Sequence, residues 1–263
     1  MVKLPISVSM ISGAEAPRIG RALESVAGWT SEIIVVLNAE VRDGTDAVAR
    51  QFGAQVIPEP WKGFVAQKAS AARKATQEWV LGLDADEALS PALRQELEAL
   101  FSDRHALEQF AAYSFPRLTL FCGRWIRHGE WYPDRTIRLW RRDSAEWGGI
   151  DPHAKLAVRG KVGKLRGDLL HYHAGSIGDQ IAKITAYSED FLRDALRRQR
   201  RTTWFDLACR PAWRFLRGYV FRLGFLDGWQ GYAIARMVAL ETFLRYAKVH
   251  EARTNKAGSP PKP

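Results

Sequence analysis

Residues 79–87, WVLGLDADE, set the apolar run Trp79-Val80-Leu81-Gly82-Leu83 against three carboxylates, Asp84, Asp86 and Glu87. The run reads as a buried strand, with the acidic residues at its C-terminal end. Side chains alternate along a strand, so the i,i+2 spacing lets Asp84 and Asp86 share a face. Two neighbouring carboxylates repel unless a proton or cation sits between them. A hard divalent ion takes oxygen ligands and keeps coordination sites for phosphates, so Mg²⁺ or Mn²⁺ suits this pair. The competing reading is local: Asp84 caps the following turn, while Asp86 and Glu87 face water.

Upstream of this strand the pattern is regular. ISVSMI (6–11) reads as a strand, and Ile19, Ala22, Leu23 and Val26 follow at helical spacing. EIIVVL (32–37) is a second strand. Asp43-Gly44-Thr45-Asp46 forms a turn that can cap a helix ending near Gly53. A short strand at 55–57 and the helix-forming AQKASAARKATQ (66–77) complete the series. Strands alternating with single helices specify an α/β class with a mostly parallel sheet flanked by helices. The C-terminal strand ends then share one edge, where such folds bind ligands. No G-x-G-x-x-G follows the first strand and no G-x-x-x-x-G-K-[ST] occurs, which argues against a nicotinamide fold and a P-loop nucleotidase.

Downstream the pattern changes. Residues from 110 to 142 read as strands and turns, 156–170 as a hairpin around Gly160, Gly163 and Gly167, and the chain from 177 as helical with interruptions near Pro211 and Gly218. The expected organisation is a first domain over 1–175, with its alternating half running to about 101 and its strand-and-turn half from 102. A helical, basic-aromatic, membrane-proximal extension follows over 176–253, then a disordered tail over 254–263. The 263 residues carry a net charge of +10, unevenly spread. Residues 1–100 hold 10 basic and 13 acidic side chains, whereas 193–222 hold nine arginines and two aspartates. Nucleic acid and an anionic membrane surface both fit such a patch. Two cysteines, Cys122 and Cys209, cannot make a disulfide scaffold. The N-terminus lacks the long apolar core of a signal peptide, giving a cytosolic start as the expectation.

The pieces ISVSMISGAE, EIIVV with DGT, WKGFVAQKASAARKA, WVLGLDADE, YPDRTIRLWRR, VRGKVGKL, HYHAGS and RLGFLDGWQGYAIA, in this order, span roughly residues 5–250. Together they resemble family 2 glycosyltransferases of the GT-A fold, and among them the lipopolysaccharide core glucosyltransferase subfamily. The resemblance implies that the sheet edge holds a nucleotide sugar and that Asp84 and Asp86 hold Mg²⁺ or Mn²⁺, with Asp86 the stronger ligand. It places Glu15 near the nucleotide and matches the family's Gln/Lys segment to Gln67 and Lys68. A lysine there contacts the diphosphate or pairs with an aspartate. Two positions depart from the family pattern. Ala14-Glu15 stands for Asn-Glu, and Asn38 stands where an aspartate usually reads uracil. Asn38 can still read a base edge but supplies no charge, so a UDP-sugar is a weaker implication than glycosyl transfer.

Inverting transfer needs a base for the acceptor hydroxyl. The family's His-Glu corresponds here to His153-Ala154, so the usual carboxylate is absent. Asp151 and His153 are the remaining candidates. Arg135 and Arg138 are candidates for bidentate contacts with donor phosphates or a phosphorylated acceptor. His171 and His173 straddle Tyr172 and would face one way in an extended segment, but zinc would need further ligands. The expected function is transfer of a sugar, by resemblance glucose, to a lipid-linked oligosaccharide such as the lipopolysaccharide inner core. The enzyme would sit peripherally on the cytosolic face of the inner membrane, with no nucleic-acid partner. The rival reading is a nucleic-acid or anionic-surface binding protein without catalysis.

Overall fold

The computed structural model describes residues 3–151, 153–172 and 176–257, with the side chains of His153 and of residues 255–257 outside the description. The chain divides into two compact units, one of Met1–Arg117 with Arg135–Tyr172, the other of Leu118–Asp134 with His173–Pro263.

The first unit opens with the alternation expected from the sequence: β1 (Leu4–Ser12), α1 (Ala16–Glu24), β2 (Thr30–Asn38), α2 (Thr45–Gln51), β3 (Gln55–Glu59), α3 (Phe64–Arg73) and β4 (Trp79–Gly82). β5 (Glu87–Leu89), α4 (Pro91–Ser102), α5 (Arg104–Glu108) and β6 (Ala112–Phe121) follow. After β7 (Arg124–Ile126) in the second unit, β8 (Asp134–Arg141), β9 (Ala145–Ile150), β10 (His153–Val158), β11 (Val162–Lys164) and β12 (Leu169–His171) complete the strands. The main sheet has the order β3-β2-β1-β4-β8-β6-β12-β5. Its β3-β2-β1-β4 part is parallel, whereas β8 joins β4, and β12 joins β5, antiparallel. This is the expected mixed, largely parallel sheet flanked by helices.

The apolar strings explain the layering. In β2, Ile33, Val35 and Leu37 pack with Ile19 and Leu23 of α1, while Ile34 and Val36 pack with Ala71 and Ala75 on the other face. A strand buried on both faces has no polar alternation, which is why EIIVVL reads as a continuous apolar run. Gly82 is required by close approach: a Cβ there would stand 2.9 Å from the Trp140 ring.

Three local expectations are corrected. The strand WVLGL stops at Gly82 and a turn follows, closed by the Glu87 N–H donating to the Asp84 carbonyl at 3.0 Å. Asp84 and Asp86 therefore do not share a strand face. The hairpin expected over 156–170 does not form. β10 pairs antiparallel with the preceding β9, the chain turns at Gly160 with φ +133°, and β11 then runs parallel along β6.

The second unit contains α6 (Ile177–Arg197), α7 (Trp204–Leu216), a π-helical turn (Arg217–Phe221), a 3₁₀ turn (Gly224–Asp227) and α8 (Gly228–Ala257). Capping boxes start α6 at Ser176/Asp179 and α7 at Thr203/Asp206. The third correction lies here, because α7 continues through Pro211 and gives way only at Arg217. α8 continues to Ala257, past the expected end at 253, and residues 258–263 lie outside the description. Phe121, Ile126, Ile184, Ile234, Met237 and Val238 form this unit's core.

Candidate active site

The parallel register brings the ends of β1, β2 and β4 to one edge, with Ser12 beside Leu37 and Ser9 beside Gly82. A cavity of about 290 Å³ opens there, lined by Glu15, Trp61, Lys68, Asp84, Asp86 and His171 among others. A larger hollow of about 600 Å³ lies between the C-terminal part of α3 and the β8–β9 segment, and none of these carboxylates lines it.

Asp84 is bound between two cations. Lys68 Nζ donates to its Oδ1 at 2.7 Å and Arg138 Nη2 to its Oδ2 at 2.5 Å. Arg138 Nη2 also donates to Glu87 Oε1 at 2.6 Å, and Arg117 lies 3.8 Å from the same oxygen. Burial opposes ionisation of Asp84, but the Arg138 guanidinium and the Lys68 ammonium outweigh it and hold the carboxyl well below the usual range. Burial likewise works against the Arg138 charge, and Asp84 and Glu87 more than offset it, so the guanidinium stays firmly protonated. Asp84 nevertheless keeps 31% of its side chain accessible through the cavity.

Asp86 has a different environment. Its Oδ2 lies 3.4 Å from His171 Nε2, and among the described residues it pairs with no lysine or arginine. The backbone fixes this contact, since the Tyr172 N–H donates to the Asp86 carbonyl at 2.8 Å. Burial raises the Asp86 pKa and the nearby Asp84 charge adds to that, while the His171 hydrogen bond and charge lower it, for a net downward shift.

The loops that follow β1 and β2 are tied together. Asp43 Oδ1 accepts from the Thr45 N–H at 3.0 Å and its Oδ2 from the Ala16 N–H at 3.1 Å, while the Glu15 N–H donates to Thr45 Oγ1 at 2.9 Å. The Thr45 hydroxyl, which donates to Asp43 Oδ1 at 2.6 Å, and then the Ala16 N–H hold the Asp43 carboxyl below its ordinary value against the opposing effect of burial. The Glu15 carboxylate reaches the cavity and pairs with Arg18 at 2.6 Å. Asn38 ends β2 on the same edge but is not in the cavity lining, and its Oδ1 accepts from the Glu40 N–H at 3.2 Å.

Arg138 is turned into the carboxylate cluster. Arg135 Nη1 donates to the backbone carbonyls of Leu165 at 3.0 Å and Ser114 at 3.3 Å. Asp151 is exposed and accepts from the Val65 N–H at 2.8 Å, capping the first turn of the helix that carries Lys68. Gln67 turns into the core, and both side-chain amide atoms have no hydrogen-bond partner among the described residues. The side chain of His153 and all of His173 lie outside the described residues.

Sequence reasoning missed Glu87 and Arg117 and weighed His171 only as a zinc ligand. The DADE string contains Glu87, yet nothing local distinguishes a solvated glutamate from one paired to an arginine 51 positions away.

A divalent ion fits this donor set in one way. Asp84 already accepts from two cations, which leaves Asp86 as the cavity carboxylate without such a partner among the described residues, with His171 as a neighbouring nitrogen donor. Among the described residues no group of three or more His, Cys, Asp or Glu side chains is arranged to hold a metal, so water and phosphate oxygens would complete the shell.

The chain is 32% identical over 255 residues to an uncharacterized glycosyltransferase of Rickettsia typhi, covering 94% of this chain and 87% of that protein. It is 29% identical over 263 residues to the lipopolysaccharide core biosynthesis glycosyltransferase LpsC of Rhizobium meliloti, covering 97% and 95% of the two. Among solved structures, that of S. aureus TarS 1–349 with UDP superposes with a TM-score of 0.48 at 13% identity, over 95% of this chain and 91% of that one. The family model for glycosyl transferase family 2 matches residues 7–166. The segment that forms the parallel edge and the carboxylate cluster is thus the segment that defines the family, and the chain belongs to glycosyl transferase family 2 as a nucleotide-sugar-dependent glycosyltransferase.

Proposed function

We propose that the enzyme transfers glucose from a UDP-sugar to a lipid-linked oligosaccharide of the lipopolysaccharide inner-core type, working peripherally at the cytosolic face of the inner membrane. The observation that carries the reading is Asp86, the cavity carboxylate that pairs with no lysine or arginine among the described residues, beside a strand-end edge suited to a nucleotide diphosphate. The similarity to LpsC along nearly the whole of both chains supports the acceptor class. Among the described residues no helix is long and apolar enough to cross a membrane, which is compatible with peripheral attachment.

In this scheme Asp86 and His171 would hold Mg²⁺ or Mn²⁺, which would supply positive charge against the diphosphate. Lys68 and Arg138 fix Asp84 beside it and keep the cluster from accumulating negative charge. Glu15 and Asn38 lie on the nucleotide side, with Arg135 as a further phosphate candidate. The acceptor oxygen bonds to the anomeric carbon, the bond to the diphosphate oxygen breaks, and the hydroxyl proton passes to a base. Asp151 is the first candidate for that base and His153 the second.

A donor screen tests the reading. Purified protein, truncated lipopolysaccharide and Mn²⁺ are combined with UDP-glucose, UDP-galactose, UDP-N-acetylglucosamine or GDP-mannose, and product is detected by mass shift. Glucose incorporation from UDP-glucose is the expected result. Incorporation only from a guanosine donor would overturn the uridine assignment, and no incorporation from any donor would overturn the acceptor class.

A further inference from the structure

The second unit displays apolar side chains that its own core does not take up. In residues 220–229, VFRLGFLDGW, the side chains of Val220, Phe221, Leu223, Phe225, Leu226 and Trp229 are between 43% and 63% exposed. Apolar residues concentrated this densely on a surface mark an interaction site.

The backbone beneath them is fixed. Gly224 is buried, and a Cβ there would stand 2.7 Å from the Gly218 carbonyl oxygen. At Gly231 a Cβ would stand 1.9 Å from the Gly224 carbonyl oxygen, so this turn and α8 meet backbone to backbone. Asp227 is only 2% exposed and accepts the Arg127 and His128 N–H groups at 3.0 and 2.7 Å. Its other oxygen lies 3.1 Å from His128 Nδ1. Leu223 is held at φ +56°, a left-handed conformation costly for a residue with a Cβ. Tyr219 packs edge-on against Phe225 and Tyr232. The segment is therefore braced from below, with its apolar side chains outside.

A cationic collar adjoins it. Arg214, Arg217 and Arg222 lie 3.1, 3.3 and 3.9 Å from the buried Glu130 carboxylate and each keeps 35–41% of its side chain exposed. Three guanidiniums against one carboxylate leave two positive charges in excess. By contrast, part of the basic stretch over 193–201 is engaged within the unit: Arg193 and Arg198 pair with Asp190 and Asp194, and Arg200 lies over the Tyr246 ring.

We infer that residues 220–229 form a preformed wedge that enters the interfacial layer of a bilayer bearing anionic lipids, with Arg214, Arg217 and Arg222 at headgroup level. Apolar and aromatic side chains bordered by arginines match the acyl boundary on one side and phosphate on the other. The inference deepens the reading of a lipid-linked acceptor and rests on it for the purpose the wedge serves. Lipid binding itself can be measured without donor or acceptor.

The test uses the full chain and vesicles of phosphatidylcholine, with or without phosphatidylglycerol. Wild type should float with the phosphatidylglycerol vesicles, and brominated acyl chains should quench a fluorescence component that Trp229→Phe removes. The triple variant Leu223→Ser, Phe225→Ser, Leu226→Ser should lose roughly tenfold or more in partitioning at unchanged circular dichroism. No flotation of wild type, or wild-type partitioning in the folded triple variant, overturns the inference. A lipid-free dimer that the triple variant converts to monomer also overturns it, because the face would then serve a second copy. Should the triple variant not fold, quenching of wild type decides alone, and absent quenching refutes the wedge. Failure of the donor screen with intact flotation would refute the transfer reading and leave the wedge standing.

Discussion

Replacing Arg138 with methionine asks whether its guanidinium is a structural bridge or a phosphate ligand. The side chain is 6% exposed, and Nη2 alone joins Asp84 at 2.5 Å to Glu87 at 2.6 Å. Methionine keeps much of the apolar volume and removes the charge. Glu87, with none of its side chain exposed, would keep Arg117 at 3.8 Å as its cation. Asp84 would keep Lys68 and its access to the cavity. Removing one partner of a buried pair costs roughly 3–5 kcal/mol, and the surviving cations put this case at the lower end, about 3 kcal/mol. A domain of this size loses about 2–4 °C of Tm per kcal/mol, so Arg138→Met should melt about 6–12 °C below wild type. Scanning fluorimetry with and without UDP measures this directly. Adding Glu87→Gln to Arg138→Met should restore more than half of the loss, because the stranded charge is gone. If the single variant melts within about 2 °C of wild type while its Kd for UDP rises at least tenfold, Arg138 serves the phosphates and the bridge is dispensable.

Three further outcomes are expected. Asp86→Asn should lower the transfer rate by about 10²-fold or more at nearly unchanged Tm, and kcat measured across Mn²⁺ concentrations checks it. Asp151→Asn should abolish most turnover while UDP binding persists in calorimetry; retained turnover, with loss in His153→Ala instead, moves the base to the histidine. Hydrogen bonds from Lys62 and then Lys74 hold the Glu59 carboxyl at about 2, down from an ordinary 4.5, against the opposing effect of burial. Its stabilisation is therefore complete above pH 4.5 and disappears as pH falls toward about 2, so the Tm gap between wild type and Glu59→Gln should close over that interval.

Local chemistry made the first hundred residues legible. Continuous apolar runs such as ISVSMI and EIIVVL specify strands buried on both faces, and the intervening spacing at Ile19, Ala22 and Leu23 specifies a helix. That alternation was enough for the sheet class, and the ordered motifs around DADE were enough for the family. The sequence also singled out Asp84 and Asp86 as the acidic centre. Tertiary structure decided what each of them meets. Lys68 is 16 positions from Asp84, Arg138 is 54 from Asp84, and Arg138 is 51 from Glu87, separations at which spacing carries no directional information. Strand pairing beyond 142 was equally open, because β10 and β11 find different neighbours through one turn at Gly160. At 220–229 the apolar letters alone fit a packed helix. Only the glycine contacts and the buried Asp227 turn those side chains outward, since packing is settled by which backbones approach one another, and a linear pattern does not contain that distance.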